Sequence, residues 1–471
     1  MSLCEKTGSG GLQILPIVPG EKIDPAVAAV CKALREHGHE AYLVGGALRD
    51  LLRGAVPKDW DVATSALPDQ VLGIFPRVIP TGVIYGTVTV LQGEAKIEVT
   101  AFRSDGAYSD GRHPDRVVFG ASIEADLARR DFTINAMAYD PVDRRLVDPF
   151  GGRQDLRRKI LRTVGPPADR FTEDALRMVR YFRFLAVLEL RPDPETVQAM
   201  RPSLLPLVSP ERIRDEMSKL LPAAKPVPGL QGMADAGLLA EIVPELLAGQ
   251  GLTQGSYHRH DVMRHAFLAV EAIRPVLVPR LAALLHDVAK PSTRREDGQD
   301  VHFYGHDAAG AAMAEGILSR LRYPNDLTER VTGLIRLHMF QLPIHPTGAA
   351  LRRLLRKAGG PEPLRDLVEL RRADIVATGR SYWQAAQVWR ELKARVEEVI
   401  AAGAAFSLGD LAIGGDEVMQ LLGVGPGPEV GRILNRLLEM VLEEPALNTR
   451  EKLLASAASF SGRSNDPRSP E

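Results

Sequence analysis

At 471 residues the chain exceeds what one hydrophobic core supports, which implies roughly three or four domains. Its 59 basic and 60 acidic residues leave a net charge of −1, so no overall field attracts nucleic acid, and any RNA contact must come from local patches. The two cysteines, Cys4 and Cys31, exclude a disulfide framework and a thiolate zinc cluster; with no apolar run of membrane-spanning length and no basic-then-apolar leader, the expectation is a cytoplasmic protein without a membrane partner.

Residues 1–22, rich in Gly, Ser and Pro, read as a flexible N-terminus. Residues 24–37 carry a helical pattern and 41–44 an apolar strand. The turn Gly45-Gly46 follows, then a short helix with Arg49 and Asp50, then a second strand carrying Asp59 and Asp61. Residues 87–91 and 96–102 read as a hairpin or meander. Residues 103–116 (RSDGAYSDGRHPDR) form a polar connection long enough to suggest a functional loop. The segment RRDFTINAMAYD, 129–140, reads as a partly buried helix start capped by Asp131.

After Asp148-Pro149-Phe150 the pattern turns helical and stays so to the end, with joints at 222–228 and 248–255. RFTEDALRMVRYFRF, 170–184, has a spacing that puts Asp174 and Arg177 one helical turn apart on one face. Residues 209–221 read as a supporting helix with Glu211, Arg212 and Glu216. Residues 411–443 read as a helix, a Gly/Pro-rich turn and an amphipathic helix from near Pro428, and 459–471 as a disordered tail. The expected fold class is α+β, a small head with a mixed sheet followed by an all-helical body.

Residues two apart on a strand share a face, so Asp59 and Asp61 aim two carboxylates at one spot. Beside them lies a glycine turn whose backbone N–H groups can cradle phosphate. Carboxylate and phosphate oxygens together make a Mg²⁺ site, which points to nucleotidyl transfer. Glu98, sharing a face with Lys96 and Thr100, is a candidate third ligand and reads equally as an exposed strand glutamate. In this order and spacing, LVGGALRDLLRGAVPKDWDVATSA (43–66) and RRDFTINAMAYD resemble the tRNA nucleotidyltransferase and bacterial poly(A) polymerase family, in the class shared by bacteria and eukaryotes, over residues 23–451.

The resemblance implies a polymerase-beta-like head at 23–150. There Asp59 and Asp61 would hold Mg²⁺, Gly45, Gly46 and Arg49 would grip the triphosphate, and Asp50 would organise the loop. Arg130 and Asp131 would meet the ribose, with Asn135 beside them. It also implies a hinge-like element from Asp148 to Asp155, and an intact loop at 103–116 in enzymes that add the terminal A.

A hydrogen-bond inventory gives Asp174 and Arg177 a sharper reading than an i, i+3 ion pair. Cytosine and adenine both present an exocyclic amine beside a ring-nitrogen acceptor, which a carboxylate and a guanidinium match and which guanine and uracil reverse. The family's E-D-x-x-R element matches Glu173, Asp174 and Arg177, implying an amino-acid template for the incoming base in a helical neck at 151–250. Arg180 and Arg183 extend this basic face toward phosphate.

Eight of the eleven histidines lie between His258 and His345. The pair His286-Asp287 on an apolar helix is hard to explain as packing, because burying an unpaired Asp is costly. With His265 and Asp374 it resembles the HD phosphohydrolase domain, here 256–376. That implies a divalent metal of unspecified identity on His265, His286, Asp287 and Asp374, and a second near His306 and His338; a domain kept only as scaffold stays open. Residues 377–458 resemble a tRNA-binding body and tail, with Arg352, Arg353, Arg356 and Lys357 as further contacts that would follow RNA shape.

The resemblance implies template-independent addition of CMP, CMP and AMP, from CTP and ATP, to the 3′ end of tRNA. Three alternatives stay open: a poly(A) polymerase or an enzyme adding only A or only CC; an HD phosphohydrolase with a non-catalytic nucleotide- and RNA-binding head; and a catalytically silent RNA-binding protein. Nothing in the sequence sets an oligomeric state.

Overall fold

The computed structural model describes residues 22–106, 117–255, 258–297, 300–343, 346–379, 383–403 and 405–461. Two compact units divide the chain: Met1–Leu220 with Pro228–Ile242, and Leu221–Val227 with Val243–Glu471. Among the described residues no helix is long and apolar enough to cross a membrane.

The first unit is built on a seven-stranded mixed sheet. Its strands come from β1 (Ala41–Val44), β2 (Trp60–Thr64), β3 (Val78–Gly82), β4 (Thr87–Gln92) and β5 (Ala95–Ala101). A separate hairpin, β6 (Arg103–Asp105) with β7 (Val117–Phe119), precedes β8 (Ala138–Asp140) and β9 (Arg145–Val147), which complete the sheet. The order is β3-β4-β5-β2-β1-β8-β9, antiparallel throughout except for the parallel pair β2–β5. Alternation along β5 buries Ile97, Val99 and Ala101 and leaves Lys96 and Glu98 exposed, as the sequence pattern requires. The helix Pro25–Glu36, capped by the Asp24 carboxylate on the Ala26 N–H, buries Val27, Val30, Cys31 and Leu34, one face at helical spacing.

Four local expectations change. The stretch 129–140 contains a 3₁₀ turn, Thr133–Asn135, and then β8 rather than an α-helix start. Strand β8 pairs with β1, so Ala138 and Tyr139 are claimed by the sheet, a tertiary demand that local propensity does not record. The base of the 103–116 connection is the β6–β7 hairpin, while residues 107–116 lie outside the described ones. The body is not wholly helical: Ile160–Leu161 pairs in parallel with Arg191–Pro192, and Arg295–Asp297 with Asp300–His302. Lastly, Ser459 is not in a disordered tail but inside the helix Arg450–Ser461; residues 462–471 and 1–21 lie outside the described ones.

The hinge-like element packs by close approach. Asp148 accepts from the N–H groups of Gly152 and Arg153, at 2.7 and 3.0 Å, and starts the helix Gly152–Arg158. A Cβ on Gly152 would fall 2.0 Å from the Thr133 carbonyl oxygen, so only glycine fits there. Next to it the Thr133 hydroxyl donates to buried Asp155 at 2.8 Å, locking this helix to the 3₁₀ turn.

In the second unit, helices Val262–Ala272, Leu277–Leu285, His306–Arg320, Asn325–Leu337 and Pro361–Ala377 carry the histidine cluster. Farther on, Gly415–Leu422, Pro428–Glu443 and Arg450–Ser461 share a core of Val418, Ile433, Leu437, Val441 and Leu453. Of the proposed RNA-contacting arginines, Arg352 donates to the Leu442 and Glu443 carbonyls, while Arg353 pairs with Glu443 and Arg356 with Glu439. Arg352 thereby serves the C-terminal carbonyls of the helix Pro428–Glu443, which lack helical partners, while Arg353 and Arg356 are spent on side chains along it.

Candidate active site and candidate metal centre

Parallel pairing of β2 with β5 sets Asp61 directly opposite Glu98. Burial pushes the Asp61 carboxyl up to about 6, and Glu98 and Asp59 add to the rise while Arg130 and Arg49 oppose it. Carboxylates crowded to this degree carry a surplus of negative charge that a divalent cation relieves. The strand-face argument holds only in part: β2 begins at Trp60, so Asp59 precedes the strand and is exposed.

Gly45 starts the helix Gly45–Leu52 with φ of +68°. A Cβ there would lie 3.1 Å from Asp61 Oδ2 and 3.4 Å from Arg130 Nη1, so the bare backbone is what lets these groups meet. No side chain caps this helix, which leaves its first N–H groups for a ligand. Arg49 donates to Asn135 Oδ1 at 2.9 Å, and its Nε is held by Asp50 at 2.9 Å. Asp50 is outside the cavity lining and orients Arg49 from behind.

Asp131 is the centre of a second chain of contacts. Its Oδ1 accepts from Asn135 Nδ2 at 3.0 Å and its Oδ2 from Arg180 at 2.8 Å. Burial opposes the charge, but Arg180 and the Asn135 bond outweigh it and hold the carboxyl down at about 2. Arg180 reaches back to buried Glu216 at 3.2 Å, which Arg183 also meets at 2.5 Å. Arg183 lies over the Phe184 ring, 3.9 Å from its centroid, and does not line the cavity, so its place is behind the wall.

The continuous helix expected over 170–184 is broken. Helix Pro167–Glu173 ends at Asp174, in extended conformation, and Leu176–Leu188 begins afresh. Asp174 Oδ1 accepts from the Leu176 N–H at 3.1 Å, the capping role that suits a short acidic side chain. Nor do Asp174 and Arg177 pair with each other: Arg212 donates to Asp174 at 2.7 Å, and Arg177 donates to Glu173 at 2.5 Å and to the Arg129 carbonyl at 3.1 Å. Both side chains are thereby turned into the cavity by outside partners.

A cavity of about 500 Å³ gathers Gly45, Gly46, Arg49, Asp61, Arg130, Asp131, Asn135, Asp174, Arg177 and Arg180. Residues from three separated stretches of sequence thus face one space, and Thr100, Arg129, Phe184 and Arg212 join them. Of these, the Arg129-Arg130 doublet and the position of Arg212 one turn before Glu216 were visible signals; the ring of Phe184, with Arg49 5.3 Å and Arg180 5.6 Å from its centroid, was not.

In the second unit, His265 and His286 bring their Nε2 atoms to 3.2 Å. His265 Nε2 lies 3.1 Å from Asp374 Oδ1, and His286 Nε2 lies 3.1 Å from Asp287 Oδ2. The other oxygen of Asp287 faces His306 and His338 at 3.5 and 3.9 Å, whose Nε2 atoms are 3.2 Å apart. His286, His306 and His338 each bond a backbone carbonyl through Nδ1, which leaves Nε2 as the ligand atom.

Burial works against a charged His286, yet Asp287 and Asp374 raise it to about 10, so the two carboxylates favour positive charge at this spot. The donor set fits a divalent metal, and the two oxygens of Asp287 serve both histidine pairs. His258 forms a further group with His265 and Asp374, a ligand candidate that sequence reasoning passed over, and Lys290, held by Gln254 at 2.6 Å, meets Asp287 at 2.7 Å.

The head is that of a nucleotidyltransferase: residues 41–162 match the family model "Poly A polymerase head domain", 189–249 match "Probable RNA and SrmB- binding site of polymerase A", and 256–379 match "HD domain". A Deinococcus radiodurans protein named A-adding tRNA nucleotidyltransferase is 37% identical over 85% of this chain and 91% of its own length. A CCA-adding enzyme of Geobacillus stearothermophilus is 34% identical over 90% of this chain and 94% of its own. The crystal structure of the Bacillus stearothermophilus CCA-adding enzyme in complex with CTP superposes with a TM-score of 0.71 at 30% identity, covering 93% of this chain and 98% of that one. The chain belongs to the tRNA nucleotidyltransferase family of CCA-adding enzymes, with an HD domain.

Proposed function

We propose that the enzyme adds CMP, CMP and AMP in turn to the 3′ end of tRNA, drawing on CTP and ATP and releasing pyrophosphate, in the cytoplasm where its substrate is matured. One observation carries this reading: a single cavity holds Asp61, the uncapped helix start at Gly45 and the edge formed by Asp174 and Arg177. Asp59, Asp61 and Glu98 would hold Mg²⁺, which when bound neutralises triphosphate charge and polarises the attacking hydroxyl. The free N–H groups at Gly45 and Gly46 and the Arg49 guanidinium receive phosphate oxygens. Arg130 and ionised Asp131 face the ribose.

Base choice follows from unspent hydrogen bonds. After meeting Leu176 and Arg212, the Asp174 carboxylate still accepts from an exocyclic amine. Arg177 spends Nη1 on Glu173 and the Arg170 carbonyl and one Nη2 hydrogen on Arg129, keeping Nε–H for a ring nitrogen. Such a bidentate contact discriminates by about 1–3 kcal/mol. In the HD domain, His265, His286, Asp287 and Asp374 would hold a divalent metal, with His306 and His338 for a second, to activate water against phosphoesters.

A narrower activity, addition of the terminal A alone, is favoured by the name of the Deinococcus radiodurans relative. Transcripts of tRNA ending before the first C, before the second C and before A separate the two, with Mg²⁺ and labelled CTP and ATP given singly and together. Full addition extends all three; an A-adding enzyme labels only the last. Incorporation abolished by Asp61→Ala and spared by His286→Ala assigns the chemistry to the head, and the reverse pattern rejects it.

A further inference from the structure

A second cavity, of about 480 Å³, opens in the first unit and shares no lining residue with the catalytic one. Three helices end on it: Gly45–Leu52, Gly152–Arg158 and Leu176–Leu188, with Arg53, Lys159 and Glu189 as their last caps. Lys159 and Glu189 both sit in the left-handed region, at φ of 57° and 52°. Non-glycine residues stay there only where their surroundings hold them. Here the hold is the parallel pairing of Ile160–Leu161 with Arg191–Pro192, with the Arg191 N–H donating to the Lys159 carbonyl at 2.6 Å. The first and third of these helices reach the catalytic cavity at their opposite ends, through Gly45 and Arg177.

The cavity is strongly unbalanced in charge. Arg53, Arg153, Arg157 and Lys159 line it against a single carboxylate, Glu189. Arg53 is partly spent, on the Leu188 carbonyl at 3.5 Å and on Asp50 at 3.9 Å. Arg153, Arg157 and Lys159 take part in no ion pair among the described residues. Cations do suit helix C-termini, each of which carries about half a negative charge. Three such ends and Glu189 together still leave the four cations in excess, so capping alone does not account for them. Under the charges lies an apolar floor in which Leu156, Leu188 and Leu190 are buried.

We propose that this cleft is a second binding site, for a nucleoside polyphosphate. Arg153, Arg157 and Lys159 take the phosphates, and the base or sugar lies on the leucine floor. Its volume is that of a small-molecule pocket, and its cations ring one concavity instead of running as a track, which favours a single nucleotide over a strand of RNA. The inference stands apart from the catalytic reading, because no residue is common to both cavities.

Equilibrium dialysis of the full chain against labelled α,β-methylene ATP, with Mg²⁺ and no tRNA, tests it. Wild type is expected to bind two equivalents, Arg130→Ala to lose one, and the pair Arg153→Glu with Arg157→Glu to lose the other. Lys159→Gly removes one charge where glycine suits the backbone, so it is expected to melt no lower than wild type while weakening the second site about tenfold. A single equivalent in wild type, or two equivalents retained by the double variant, overturns the proposal. So does an unchanged second affinity in Lys159→Gly, which decides the matter even if the double variant does not fold. Filter binding of tRNA weakened by these substitutions at unchanged nucleotide stoichiometry overturns it too, and makes the cations an RNA contact.

Discussion

The side chain of Asp174 is held by Arg212, a residue whose helix reads in the sequence as mere support. If that ion pair is what aims Asp174 at a base, Arg212→Ala loosens the reading edge without touching Asp61. A charge-assisted hydrogen bond contributes about 1.5–3 kcal/mol, so kcat/KM for CTP and ATP is expected to fall about tenfold, with UTP and GTP affected less. Single-nucleotide incorporation with each triphosphate measures this, and selectivity equal to wild type rejects the assignment. Asp131 carries a prediction about pH. Its pKa of about 2 lies below the roughly 3.9 of an unfolded Asp, so its contribution is complete above pH 4 and is lost as pH falls through 2. The difference is worth about 2–3 kcal/mol. Urea unfolding between pH 5 and 2 should therefore give a shallower acid decline for Asp131→Asn than for wild type.

At the scale of elements, the helix Gly45–Leu52 turns a backbone conformation into a site. Its first residue has positive φ and a Cβ there would press on Asp61 and Arg130, while the Cβ of a residue at 46 would meet only the Arg49 guanidinium, at 3.6 Å. The two adjacent glycines are therefore unequal. Gly45→Ala takes on a left-handed strain of about 1–2 kcal/mol, which for a unit of this size lowers its melting temperature by about 2–8 °C. It should also cut nucleotide addition at least a hundredfold by displacing Asp61. Gly46→Ala should cost distinctly less in both melting and activity assays. Equal losses at the two positions contradict the geometry.

For the whole molecule, the division into two units puts the catalytic cavity in one unit and the histidine cluster in the other. A divalent metal that binds the folded HD cluster stabilises the unit that contains it by RT ln(1 + [M]/Kd), about 2.7 kcal/mol at a hundredfold excess over Kd. Calorimetry with Mn²⁺ or Ni²⁺ added to chelator-treated protein should raise the melting of the second unit, and His286→Ala should abolish that rise. The same addition in His286→Ala should leave nucleotide addition supported by Mg²⁺ unchanged. A rise that persists in the variant places the metal elsewhere.

Much of this protein is decided locally and is therefore written in its residue order. The alternation of β5, the helix Pro25–Glu36 and the helix from Pro428 follow from side-chain periodicity and caps, and motif spacing together with the family resemblance singled out Asp59, Asp61, Asp174, Arg177 and the His-Asp pair. Partners distant in sequence are not written there. That Asp61 faces Glu98 depends on β2 and β5 lying parallel, that Asp174 leaves its helix depends on Arg212 and a new helix start, and that Arg183 stands behind the wall depends on Glu216. Periodicity fixes which face a residue presents along its own element, whereas a carboxylate's charge state and an arginine's freedom are set by whatever the fold brings against them.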